Sequence, residues 1–276
     1  MISEYADRAA ADVDVCVVGS VNRDLLVPVA RLPRPGQTVT AGDMAVLLGG
    51  KGANQAAAAA RLGRAVALLA RVGEADGGAL LDLLASARVE TGACLLTPGA
   101  PSGHAVLIVA DDAQNVILVS PGANALLTPA DVAAHGALLA AARICLVQQE
   151  IPAETVAAAV NAAADAGATV ILNPAPYRPV GADVLGRVDI LVPNAGELAD
   201  LLGAEEPETP EQAADLLRSA DLRCGAVIVT LGGLGAVVAE RTGNDGVVVT
   251  HVAAPVVEAV DTVGAGDTFC AALADA

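Results

Sequence analysis

The segment Asp261-Thr262-Val263-Gly264-Ala265-Gly266-Asp267 sets two carboxylates at the ends of a run of small residues, and Thr268-Phe269-Cys270-Ala271-Ala272-Leu273 continues it in a helical pattern. Glycines at 264 and 266 allow a tight turn and let a ligand approach the backbone. A helix starting there directs unpaired N–H groups, and the positive end of its dipole, into the same space. Such a surface suits a phosphate or a developing oxyanion. Asp267 at its mouth is placed to take a proton from an incoming hydroxyl. The same residues also read as an ordinary helix start with an acidic first turn.

Other polar groups stand where strands are predicted to end. Asn22-Arg23-Asp24 follows a strand over 13–18, Glu150 follows one over 144–148, and Asn194 with Glu197 follows one over 190–192. Thr230-Leu231-Gly232-Gly233-Leu234-Gly235 follows a strand over 226–230. Open α/β sheets hold ligands at the carboxyl ends of their strands, so these groups with the 261–267 segment predict a site along one sheet edge. Glu197 is one helical turn beyond Asn194, which suits a hydrated Mg²⁺ needing few protein carboxylates. A helix cap with an acidic first turn accounts for the same pair. Gly49-Gly50-Lys51-Gly52-Ala53-Asn54-Gln55 opens a helix over 56–62 and fits a hydroxyl-rich or anionic ligand, or a plain tight turn. Neither the GxGxxG nor the GxxxxGK[ST] frame is present.

The elements that must carry these groups follow from the rest of the chain. Its 276 residues are 54% hydrophobic and 1% aromatic, so the core is predicted from Val, Leu, Ile and Ala. A net charge of −17 argues against nucleic acid and anionic membrane as partners. Five cysteines, odd in number and without CxxC, read as core residues of a reducing, cytoplasmic compartment. The acidic N-terminus is no secretory signal, and 1–12 reads as a flexible leader. The uncharged run 225–239 contains glycine turns and reads as two strands rather than a membrane span. His104, His135 and His251 are predicted in the core or on the surface. Strands alternate with helices, which predicts one α/β domain over 13–276 with a doubly wound, mostly parallel sheet flanked by helices. One helix is predicted from 129 to about 142 behind the Thr128-Pro129 cap. Strand-like pieces within 24–47 and 94–119, among them 38–47 and 94–96, interrupt the rhythm and predict a small β-sheet lid.

Taken together the motifs resemble those of the ribokinase-like (PfkB-type) carbohydrate kinases. The supporting pieces are Gly19-Ser20-Val21-Asn22-Arg23-Asp24, Gly49–Ala56, Pro121-Gly122-Ala123-Asn124, Asn173-Pro174-Ala175-Pro176, Asn194-xx-Glu197, Thr230-Leu231-Gly232 and Asp261–Asp267, in the family's order. The sugar-side pieces are closest to the ribose-phosphorylating branch. The resemblance implies transfer of the ATP γ-phosphoryl group to a sugar's primary hydroxyl, with Asp267 as base and the N–H groups of Gly264, Ala265 and Gly266 as anion hole. It implies sugar contacts from Asn22, Asp24, Gly50, Lys51, Gly52, Ala53, Asn54 and Glu150. Asn194, Thr230, Leu231, Gly232, Gly233, Leu234, Gly235 and Gly266 would line the nucleotide. Glu197 would organise Mg²⁺ through water, and Asp261 with the Val263 carbonyl would hold K⁺. Paired lids imply a homodimer. Leu234 stands where such enzymes often carry a basic residue. Relatives continue past the position of Ala276, nine residues after Asp267, so the C-terminal part of the domain is expected to be missing. A relative acting on another sugar or a nucleoside, or an impaired sugar-binding fragment, is the alternative reading.

Overall fold

Val15–Val18 is fully buried and pairs in parallel with Val66–Leu69 on one side and Ile144–Val147 on the other. Continuous apolar strands of this kind belong at the centre of a sheet covered on both faces. The computed structural model describes residues 13–112, 114–221, 223–242, 246–258 and 262–276. The predicted leader over 1–12 lies outside the described residues, and so does Asp261.

In chain order the described strands and helices are β1 (Val15–Val18), β2 (Asn22–Val29), β3 (Ala45–Gly49), α1 (Lys51–Arg61), β4 (Val66–Gly73), α2 (Gly77–Ser86), β5 (Val89–Glu90), β6 (Cys94–Thr97), β7 (Gly103–Ala110) and β8 (Asn115–Ser120). There follow α3 (Pro129–Ala134), α4 (Gly136–Ala141), β9 (Ile144–Gln148), α5 (Ala153–Asp165), β10 (Thr169–Asn173), α6 (Ala182–Leu185), β11 (Ile190–Leu191) and α7 (Ala195–Leu202). The last are α8 (Pro210–Ser219), β12 (Ala226–Thr230), β13 (Ala236–Thr242), β14 (Gly246–Val252) and α9 (Ala265–Leu273).

The main sheet runs β14-β13-β12-β11-β10-β9-β1-β4-β5, with β6 also on β4. It is parallel from β12 to β5, and β13 and β14 extend it as antiparallel strands. Alternation along β1 divides the core. Cys16 and Val18 face one layer, with Val156, Val160, Ala213 and Leu217 of α5 and α8. Val15 and Val17 face the other, with Ala53, Ala56, Leu84 and Cys270 of α1, α2 and α9. The doubly wound α/β fold expected from the βα alternation is therefore present. Among the described residues no helix is long and apolar enough to cross a membrane.

Local chemistry sets the boundaries. Thr128 with Asp131, and Thr209 with Gln212, form reciprocal capping boxes followed by Pro129 and Pro210. The single helix predicted from 129 is broken into α3 and α4. His135 Nδ1 lies 2.8 Å from Asp131 O, sharing a ladder carbonyl, and Gly136 then weakens the helix further.

A separate four-stranded sheet, ordered β3-β2-β7-β8, stands off the body. Its composition corrects two expectations. The strand expected over 94–96 in the lid is Cys94–Thr97 and pairs instead with Ala70–Gly73, because β4 outruns β1 and β5 and leaves that length of edge open. The strand expected over 38–47 is confined to Ala45–Gly49, paired with Asn22–Leu26.

Candidate active site

Helix α9 begins at Gly264, whose φ of 72° is open to glycine at little cost, and buries Cys270 and Ala271 against α1. The packing fixes a helix too short to persist alone. Its first turn carries Asp267, which is 6% exposed. Asp267 Oδ2 accepts from Asn54 Nδ2 at 3.0 Å, and Oδ1 accepts from Gln55 Nε2 at 3.2 Å. Of the predicted anion-hole amides, Ala265 N–H is turned into Thr262 O at 3.2 Å. Gly266 N–H and Asp267 N–H remain in the first turn, where a helix has no internal acceptor for them.

The residues expected on the sugar gather at the start of α1. Gly50 takes φ 88°, with no room for a Cβ beside Asn22 N and Ser20 O. Glu150 Oε2 accepts from Lys51 N–H at 3.0 Å and from the Ser20 hydroxyl. Negative charge at a helix start is favoured by the dipole. Asn22 is held by Asn124, whose Nδ2 donates to Asn22 Oδ1 at 2.8 Å. Asp24 has a buried Oδ1 without a hydrogen-bond partner. Burial, and secondarily the Glu150 carboxylate, push the Asp24 carboxyl up to about 6. An acceptor oriented and left unsatisfied is what a hydroxyl ligand would complete.

Ala53 needs correction. Its N–H donates to Ser20 O at 2.9 Å and its side chain is in the core, so it presents nothing to a ligand. Gly52 serves by its lack of a side chain, because a Cβ there would come within 2.6 Å of Ser20 N. Asn54, expected on the sugar, also contacts Asp267 directly.

A second group lies at the ends of β11 and β12. Asn194 and Thr230 form a parallel bridge, and Asn194, Thr230, Leu231, Gly232 and Leu234 line one groove. Asn194 Oδ1 accepts from Glu197 N–H and Glu197 Oε2 accepts from Asn194 N–H, both at 2.8 Å. The cap reading of this pair is therefore present, with Glu197 Oε1 outside it. Burial raises the Glu197 carboxyl, the Lys51 ammonium opposes that rise, and the Asp267 carboxylate adds to it. Leu231 N–H donates to Gly235 O at 2.8 Å, and Gly235 packs so closely on Val252 O that a Cβ would clash. Gly235 thus closes the turn rather than lining the groove. Leu234 is exposed, and its carbonyl lies 2.7 Å from His251 Nε2. Val263 is exposed beside the α9 start.

Sequence reasoning gave no individual role to Ser20, Gln55, Asn124 or Gln148, although all four are buried polar residues of this region and the first three stand in the quoted motifs. For Gln55 a signal existed: an amide within an otherwise small, apolar helix face.

The arrangement offers a buried carboxylate, amides suited to an anion, acceptors suited to hydroxyls and a groove at adjacent strand ends. Residues 12–276 match the sequence profile described as pfkB family carbohydrate kinase. The chain is 33% identical to ribokinase from Haemophilus influenzae over 92% of its own length and 81% of that protein. It is 35% identical to deoxyribokinase from Salmonella typhi over 93% of its length and 83% of that protein. The solved structure of Arabidopsis thaliana ribokinase complexed with ribose and ATP superimposes with a TM-score of 0.80 at 33% identity, covering 95% of this chain and 85% of that one.

Proposed function

The chain belongs to the pfkB family of carbohydrate kinases and is a phosphotransferase with an alcohol acceptor, and from that premise we propose that it transfers the γ-phosphoryl group of ATP to the primary hydroxyl of ribose. The observation that carries this reading is Asp267, a buried carboxylate in the first turn of α9 held at both oxygens by amides of α1. In this reading the ribose hydroxyl gives its proton to Asp267 as its oxygen bonds to phosphorus, and ADP leaves. First-turn amides of α9 at Gly266 and Asp267 receive the charge on the transferring group. Phosphoryl transfer asks mostly for positioning and charge stabilisation, which this arrangement supplies without a covalent intermediate.

Asn22, Asp24 and Glu150 receive sugar hydroxyls. The buried, unpartnered Asp24 Oδ1 supports that role. ATP lies along the groove between Asn194 and Leu234, with its phosphates toward α9. Glu197 fits a magnesium held through water: its Oε1 is outside the cap, and carboxylates nearby already disfavour its charge. Among the described residues no three-carboxylate cage exists, as suits an ion held chiefly by phosphates and water. Magnesium supplies neutralisation of the phosphate charge when bound. A monovalent cation at Asp261 and the Val263 carbonyl is a further part of the proposal.

The four-stranded sheet covers the sugar side and limits water access. Its β8 edge exposes Val116, Ile117, Leu118 and Val119, an apolar strip that supports pairing with the same sheet of a second copy. The free, buried Cys16, Cys145, Cys224 and Cys270 support a reducing, cytoplasmic location.

The test is ADP release by the chain with Mg²⁺ and K⁺ across ribose, 2-deoxyribose, other sugars and nucleosides, with the product read by ³¹P NMR. Ribose should drive turnover and yield a phosphomonoester on its primary hydroxyl. Ribose performing no better than a sugar-free control, while another acceptor drives release, would overturn the ribose assignment.

A further inference from the structure

Gln55 is 0% exposed, sits in an alanine-rich turn of α1, and has no route to a bound substrate. A buried amide at a helix position otherwise facing the core must be fully hydrogen-bonded to be tolerated. Gln55 satisfies this condition. Its Nε2 donates to Asp267 Oδ1 at 3.2 Å and to Asn173 Oδ1 at 3.3 Å, and its Oε1 accepts from Gln148 Nε2 at 2.7 Å.

The directions of these bonds follow from the carboxylate. An ionised carboxylate can only accept, so the nitrogen of Gln55 must face Asp267. Asn173 Nδ2 is committed to Val192 O at 2.8 Å, which turns Asn173 Oδ1 toward Gln55. With its nitrogen so turned, Gln55 presents Oε1 on the other side, and Gln148 gives that oxygen its nitrogen, leaving the buried Gln148 Oε1 beside Gly19 without a partner. Three amides thus tie a carboxylate on α9 to the ends of β9 and β10.

We propose that Gln55 is the positioning residue of the reaction: it anchors Asp267 Oδ1 in the interior, so that Oδ2 is the oxygen that takes the acceptor's proton. The inference rests on the reading of Asp267 as base. Asn54, only half-buried, bonds Oδ2 from the open side and leaves that oxygen a further lone pair. The hydroxyl O–H bond breaks toward Oδ2 while the sugar oxygen bonds to phosphorus and the ADP oxygen departs. Gln55 exchanges no proton.

The test compares wild type, Gln55→Met, Asp267→Asn and the double variant by steady-state kinetics, with melting temperature measured for each. Methionine keeps the length of the side chain and removes its donors. Gln55→Met should lower kcat by about 10–100-fold, the scale of a misplaced reacting group, with KM for ribose changed less than about two-fold. In the Asp267→Asn background it should lower the residual rate by no more than about two-fold, because residues acting as one unit are not additive. Equal fold losses in both backgrounds, a wild-type kcat in folded Gln55→Met, or a raised KM with unchanged kcat would overturn the tether alone. Full turnover by Asp267→Asn would overturn the base assignment and the tether together. If Gln55→Met does not fold, Gln148→Met decides the matter, since Gln148 reaches Asp267 only through Gln55. Its kcat should fall by about 3–10-fold at constant KM, and an unchanged kcat would overturn the proposal.

Discussion

Asn54 Nδ2 donates to Asp267 Oδ2 at 3.0 Å, joining the first turns of two helices that lie 213 positions apart in the chain. In the proposed reading one side chain therefore serves both the sugar pocket and the base. Asn54→Ala should lower kcat and raise KM for ribose together, each by about ten-fold, because placement of acceptor and base is lost at once. Steady-state kinetics checks it against the kcat-only pattern expected of Gln55.

In the proposed reading Asp24 couples sugar binding to protons. Its carboxyl ionises at the ordinary 3.8 when unfolded and at about 6 in the fold. Between those values the folded chain holds more protons than the unfolded one, so stability falls as pH rises through that window. Asp24→Asn should raise stability at pH 7 by about 1 kcal/mol, the shift being discounted for partial solvent screening. Hydroxyl donors reaching Oδ1 favour the ionised form. Ribose binding should therefore release protons near pH 6 and weaken below it, measured by calorimetry in buffers of different ionisation enthalpy.

Gly52 lets α1 start against the backbone of Gly19 and Ser20, where a Cβ would lie 2.6–2.7 Å from backbone atoms. Gly52→Ala should cost about 1–3 kcal/mol by forcing those segments apart, and should weaken ribose binding as Ser20 and Glu150 shift. Denaturant unfolding and ribose titration would record the two effects.

The exposed apolar strip on β8 should be covered by a second copy. Ile117 is 52% exposed at its centre. Ile117→Lys should turn a dimer into a monomer in light scattering, with higher KM for ribose as the lid loses support. A wild-type monomer at micromolar concentration would count against the pairing.

Much of this was legible in the chain. Short continuous apolar runs placed β9 and β12, and the helical pattern after Asp267 placed α9, because each buries one continuous apolar run or face. Capping chemistry fixed Thr128 as a helix start, with Pro129 at the first helical position. What escaped was non-local. Cys94–Thr97 reads like its lid neighbours, and an open length of β4 edge, invisible in sequence, decides its partner. Ala53 belongs to the site's motif yet faces inward, since burial distinguishes neighbours that a motif treats alike. Gln55 and Gln148 meet only when α1 crosses the sheet.

The account rests most directly on Asp267. Initial rates of ribose-dependent ADP release should be measured for wild type and Asp267→Asn, with ribose affinity determined on both. Loss of the general base should lower turnover by about 10²–10⁴-fold while ribose binding persists. Turnover of Asp267→Asn within about two-fold of wild type, far short of the contribution of a general base, would contradict it.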